Sequence, residues 1–171
     1  MEYKKLTAKE YLRTIKIIHI AIVVGAIMMA MVMLTMHYSG DVVNVDGVSN
    51  IQFLIIDIVI VISLFFAGNF LFNKSMQKIH LLTELKAKTS AYITAFIIRI
   101  ALLEGGVISS FILFVITGDL IIIGLGTLVL IYMIILFPSL DRICREMKLN
   151  PSEIMTLKNS NEIVAEIKQT K

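Results

Sequence analysis

Four long runs of apolar residues dominate the chain: Ile15 to Met36, Ile51 to Phe72, Ala91 to Thr117 and Leu120 to Phe137, with polar stretches between them. Each is close to the roughly 17 to 25 residues with which an α-helix crosses a hydrocarbon core. Backbone N–H and C=O groups in lipid have no water to bond, so such runs are expected as helices and not as isolated strands. The pattern predicts an all-α fold, a four-helix transmembrane bundle of two helical hairpins. The expected layout is a cytoplasmic amphipathic N-terminus (1–14), a first transmembrane hairpin (15–72), a cytoplasmic helical connection (73–90), a second transmembrane hairpin (91–137) and a cytoplasmic charged helical tail (138–171).

Polar residues around these runs sharpen the ends. Thr7 with Glu10 three residues later is a capping-box pattern, which starts the first helix near Ala8, ahead of the apolar run. The run exceeds a secretory signal core and lacks a small-residue cleavage site, so it reads as an uncleaved anchor. Met76, Ile79, Leu82 and Leu85 recur at helical spacing among Lys, Gln and Glu, which predicts that the second helix continues through Leu85 and forms a stalk with the third. Asn150-Pro151-Ser152-Glu153 is a helix start with Pro at the first helical position, followed by a short amphipathic segment to the chain end.

Composition agrees with a bilayer. Of 171 residues 57% are hydrophobic, and mean hydropathy is +0.86, more apolar side chain than a soluble domain covers with polar surface. Net charge of +3 has to be read by location. Lys4, Lys5, Lys9, Arg13 and Lys16 precede the first run; Lys74, Lys78, Lys86 and Lys88 join the second and third; Arg142, Arg145, Lys148, Lys158, Lys168 and Lys171 follow the fourth. The other two connections hold Asp41, Asp46 and Asp119. This positive-inside asymmetry predicts both termini in the cytoplasm and removes a nucleic-acid partner from consideration. The single Cys144 excludes a disulfide framework, and no phosphate loop, paired-cysteine metal signature or nucleophile elbow is present. The expectation is a non-enzymatic protein without a cofactor or metal, partnered by the bilayer and by itself or another membrane protein.

Ionisable groups inside a span cost roughly 2.5 to 3.5 kcal/mol each on insertion scales and often mark function. Three qualify, Asp57, Arg99 and Glu104. At about 1.5 Å per residue, Glu104 falls near the midplane with Ser63, Tyr132 and Gly25, and Tyr132 is a candidate hydrogen-bond partner for its carboxyl. Arg99 falls in a second, inner layer with His19 and Asn69. Glu104 stands five positions beyond it, about 140° around the helix, so their ion pair is not assured. Asp57, two turns from the outer end of its span, is expected to reach the outer headgroups. Gly25, Gly105 and Gly106 are expected to let the first and third helices approach closely. Met28, Met29, Met31, Met33 and Met36 with His37 are soft-metal ligand types, but helical spacing spreads them around the helix, so they read as apolar filler.

His19-Ile-Ala-Ile-Val-Val-Gly25 aligns with Arg99-Ile-Ala-Leu-Leu-Glu-Gly105, and Ser75 to Ile79 can be laid over Ser139 to Ile143. This suggests a parallel internal repeat of two hairpins, against chance similarity between apolar helices. The Arg99 to Gly105 stretch, the Thr117-Gly118-Asp119 turn and the Pro138-Ser139 exit resemble small uncharacterised bacterial four-helix integral membrane proteins. That resemblance implies the architecture and a bacterial cytoplasmic (inner) membrane, but no site residue. Rotor-ring proteolipids and small multidrug transporters fit poorly, because Glu104 is in the third helix. Two functions stand: a scaffold or accessory subunit of a membrane complex, or a proton-coupled transporter or ion pathway using Glu104.

Overall fold

The computed structural model describes residues 3–40 and 50–168. They form β1 (Tyr3–Thr7), α1 (Ala8–Tyr38), α2 (Asn50–His80), α3 (Leu85–Thr117), α4 (Leu120–Ile135), α5 (Leu140–Glu146), α6 (Pro151–Lys158) and β2 (Ile163–Lys168). Asp41, Asp46 and Lys171 of the expected charge pattern lie outside the described residues. The chain divides into two compact units. One comprises Met1–His19, Phe70–Ile98 and Phe137–Lys171, the other Ile20–Asn69 and Arg99–Leu136.

The fold is helical in its bulk, as the apolar periodicity requires, and the helix starts behave as their caps dictate. The Thr7 hydroxyl accepts from Glu10 N at 3.3 Å while a Glu10 carboxylate oxygen accepts from Thr7 N at 2.9 Å, the reciprocal box that places α1 at Ala8. Asn150 and Glu153 repeat the device at α6 behind Pro151. Two expectations are corrected. α2 stops at His80 instead of Leu85, and Leu81 and Leu82 turn back onto the carbonyls of Lys78 and Ile79. The tail is helical only to Lys158. Beyond it, Ile-Val-Ala-Glu-Ile-Lys forms β2, antiparallel to β1, with Leu6 opposite Ala165, Lys5 opposite Glu166 and an irregularity between Leu6 and Thr7. Two short strands far apart in sequence complete one ladder, a pairing that helical periodicity does not register.

The first unit is built around Tyr11, Ile15, Ile79, Tyr92, Phe96, Ile143, Met147, Leu157 and Val164, all essentially buried. The Tyr92 ring stacks on Phe96 with centroids 6.1 Å apart. In the second unit Phe114, Val115 and Ile122 form a cluster with Met33, Leu34, Phe53 and Leu54 packed against it, so side chains of α1, α2, α3 and α4 meet there.

α1, α2 and α3 are each long and apolar enough to cross a membrane; α4, with 16 residues, is shorter and does so only if counted with the helix after it. Ile20, Val24, Met28, Met31 and Val32 on α1 and Ile55, Val59, Ile62 and Phe66 on α2 are largely exposed. Such apolar surface is compatible with an integral membrane protein and costly in water. In the apolar stretches of α1 and α2 only 17% of residues are buried, against 44% in α3, so α3 is the most buried of the three.

Candidate functional site

Polar side chains in the second unit gather into two sets, both centred on α3. In the first, Asn69 on α2 donates its amide N–H to the Phe65 carbonyl at 2.8 Å, which turns Oδ1 outward. Arg99 on α3 donates from Nη2 to that Oδ1 at 2.7 Å and to the Tyr132 hydroxyl at 2.9 Å. Tyr132 on α4 in turn donates to Asn69 Oδ1 at 3.3 Å. Its ring rests on Phe65, centroids 5.1 Å apart. The close approach depends on Gly68, where a Cβ would stand 3.3 Å from the Arg99 carbonyl oxygen. The set joins three helices through one guanidinium.

The second set is Asp57 on α2 and Ser110 on α3. Asp57 is fully buried, and both its carboxyl oxygens lie within reach of Ser110 Oγ, at 2.9 and 3.0 Å. Ser110 Oγ is also 3.2 Å from the Gly106 carbonyl oxygen. A hydroxyl has one proton, so Ser110 donates to one of these acceptors at a time, and the two Asp57 oxygens are the nearer ones. Gly126 on α4 presses against the same spot, where a Cβ would meet Ser110 Cβ at 2.8 Å.

The sequence candidates therefore sort differently from their estimated depths. Arg99, Asn69 and Tyr132 come together, which moves Tyr132 from the expected Glu104 layer into the arginine's. Glu104 is half-buried and makes no hydrogen bond or ion pair to a described residue. Ser63 lies on the exposed face of α2, away from both sets. Asp57, expected at the outer headgroups, is instead closed inside the unit. Gly105 and Gly106 face Leu64 and Val61 of α2, whereas Gly25 has nothing near it, so the close pair is α2 with α3, not α1 with α3.

His19 belongs to the first unit, buried between the rings of Phe96 and Phe137 at 5.8 and 5.7 Å. Its repeat equivalent, Arg99, has quite different surroundings. The second alignment also parts in backbone terms: Ser75 is inside α2, while Ser139 caps α5 by accepting from Arg142 N.

The first unit holds a polar network that periodicity gave no reason to expect. Tyr92 donates to Glu146 Oε2 at 2.6 Å, Arg142 Nε donates to Glu146 Oε1 at 2.8 Å, and His80 Nε2 lies 2.9 Å from the Glu146 carbonyl oxygen. Lys88 on α3 makes a buried ion pair with Glu153 on α6 at 2.6 Å. The Thr89 hydroxyl donates to the Val164 carbonyl on β2. Only the Arg142 and Glu146 pair, at i and i+4, had a sequence signal. The other contacts span 54 to 75 positions.

These contacts tie helices to one another, and among the described residues no three His, Cys, Asp or Glu side chains could hold a metal. Comparison of the chain with protein-family models, with curated proteins and with solved structures finds no match.

Proposed function

We propose that the chain is a four-span integral membrane protein, both termini cytoplasmic, that acts as a non-enzymatic scaffold or accessory subunit of a membrane complex. At about 1.5 Å per residue the 16 residues of α4 reach about 24 Å, somewhat short of a hydrocarbon core of about 30 Å. The distribution of Lys and Arg supports the orientation.

The observation that carries the reading is the contrast between Glu104 and the other intramembrane polar groups. Arg99, Asn69, Tyr132, Asp57 and Ser110 are consumed in ties between helices. Glu104 is half-exposed on α3 and lacks a partner among the described residues. A carboxyl so placed costs roughly 2.5 to 3.5 kcal/mol, which a donor from a second membrane helix offsets.

A photocrosslinking residue at exposed Ala101, three positions from Glu104, tests this in native membranes. The expected product is one discrete adduct, with a second copy or with one membrane protein, retained in Glu104→Gln and lost in Glu104→Leu. Labelling of lipid alone would refute it. The second reading, a proton-coupled transporter or ion pathway, draws on the wholly buried Asp57 together with Glu104. It requires proteoliposome flux that disappears in Asp57→Asn or Glu104→Gln, and a Gln variant that assembles normally but is inactive would favour it over the scaffold.

A further inference from the structure

A groove of about 620 Å³ in the first unit runs between the start of α1 and the end of α6, lined by Lys9, Leu12, Arg13, Lys16, Ile17, Leu157, Lys158 and Ser160. Four of these side chains are cationic and none is acidic. Among the described residues none of the four cations forms an ion pair. Lys16 Nζ lies 5.9 Å from the centre of the Phe137 ring. Four like charges around one concavity repel each other, and an anion relieves that repulsion.

The continuation of α1 indicates which anion. At 100° per residue, Lys9, Arg13 and Lys16 share a face with Ile17, Ile20, Val24, Ile27 and Met31, all within about 100° of arc. Those five apolar residues are exposed, from 37% at Ile27 to 64% at Met31. One helix face thus begins basic and becomes a continuous exposed apolar stripe of about four turns. A free phosphate would use only its first part. A molecule with a phosphate head and an acyl tail matches its whole length.

We propose that this face of α1, with Lys158 and Ser160 closing it from the α6 side, is a binding site for an anionic phospholipid of the cytoplasmic leaflet. Lys9, Arg13, Lys16 and Lys158 hold the phosphate, the Ser160 hydroxyl is positioned to donate to it, and Leu12, Ile17 and Leu157 carry the start of an acyl chain. The proposal rests on the membrane reading and adds to it a lipid class and a place.

Delipidated full-length protein in nonionic detergent, titrated with phosphatidylglycerol and separately with phosphatidylcholine and followed by native mass spectrometry, tests it. Phosphatidylglycerol should bind at least ten-fold more tightly. The triple variant Lys9→Gln, Arg13→Gln, Lys158→Gln should lose roughly 100-fold, about five-fold per charge. Removing three charges elsewhere in the same unit, Lys74→Gln, Lys78→Gln and Arg145→Gln, should lose less than three-fold, and circular dichroism establishes that both variants fold. Equal loss in the two variants would overturn the proposal, as would equal binding of the two lipids or displacement of the lipid by inorganic phosphate at matched concentration. Carbonate extraction from membranes separates the two levels. A protein that resists extraction yet lacks the lipid preference refutes the site alone, and one that is extracted refutes the membrane reading as well.

Discussion

Replacing Lys88 with Met strands a buried carboxylate. Lys88 and Glu153 are 8% and 9% exposed, and their 2.6 Å contact joins the start of α3 to α6. Removing one partner of a buried pair costs about 3 to 5 kcal/mol, because the remaining charge is left without compensation. Glu153 keeps one other bond, from Asn150 N at 2.9 Å, so the lower end, about 3 kcal/mol, is expected. In Lys88→Met with Glu153→Gln the glutamine still caps α6 and no charge is buried, so most of the loss should return, leaving a coupling of about 2 kcal/mol.

Burial alone would raise the Glu153 carboxyl, but the Lys88 ammonium and the Asn150 N–H outweigh it and hold it below its usual value of 4.5. A carboxylate depressed in the folded state adds stability above pH 4.5, and that contribution is lost as pH falls through the lowered folded value. The single Cys144, on α5 in the same unit, is a built-in reporter. It is half-buried and its thiol is pushed up by burial and by the nearby Asp141 charge, so a thiol-reactive dye should label it faster as the unit opens. Labelling rates against temperature at pH 7 for wild type, Lys88→Met, Glu153→Gln and the double variant give the four corners of the cycle, and repeating them under acid reads the pH dependence. Additive losses in the double variant, or a single Lys88→Met within about 0.5 kcal/mol of wild type, would refute this account of the pair.

Two further outcomes concern the second unit. Gly126→Val should cost about 1 to 3 kcal/mol by overpacking against Ser110 and Phe111, whereas Gly124→Ala, with nothing within 4 Å, should be neutral or mildly stabilising; thermal melts in detergent distinguish the pair, and equal effects would contradict this packing. Asn69→Leu should destabilise more than Arg99→Met. The first takes an acceptor from a buried guanidinium, whereas the second leaves Asn69 and Tyr132 bonded to each other, a difference of about 1 to 2 kcal/mol readable in the same melts.

Much of the architecture was legible because its causes are local. Apolar length and backbone satisfaction in lipid require helices over the long runs, and the Thr7 and Asn150 boxes place two starts to the residue. The functional candidates were legible as types but not as partners. Depth counted along a helix put Tyr132 level with Glu104, but depth carries no rotation between helices. Rotation is set by where Gly68, Gly105, Gly106 and Gly126 let backbones approach. The same omission left Asp57 at the headgroups and Ser63 in a polar layer.

By itself, the sequence determined that this chain has helices long and apolar enough for a bilayer, with its basic residues on one set of connections, since hydropathy and charge are sums over neighbouring residues. Tertiary structure alone decided that Arg99 meets Asn69 and Tyr132, that Asp57 closes onto Ser110, and that the first and last strands pair. Each of those depends on groups brought together from distant parts of the chain, where the partners that offset burial are chosen by packing and not by sequence spacing.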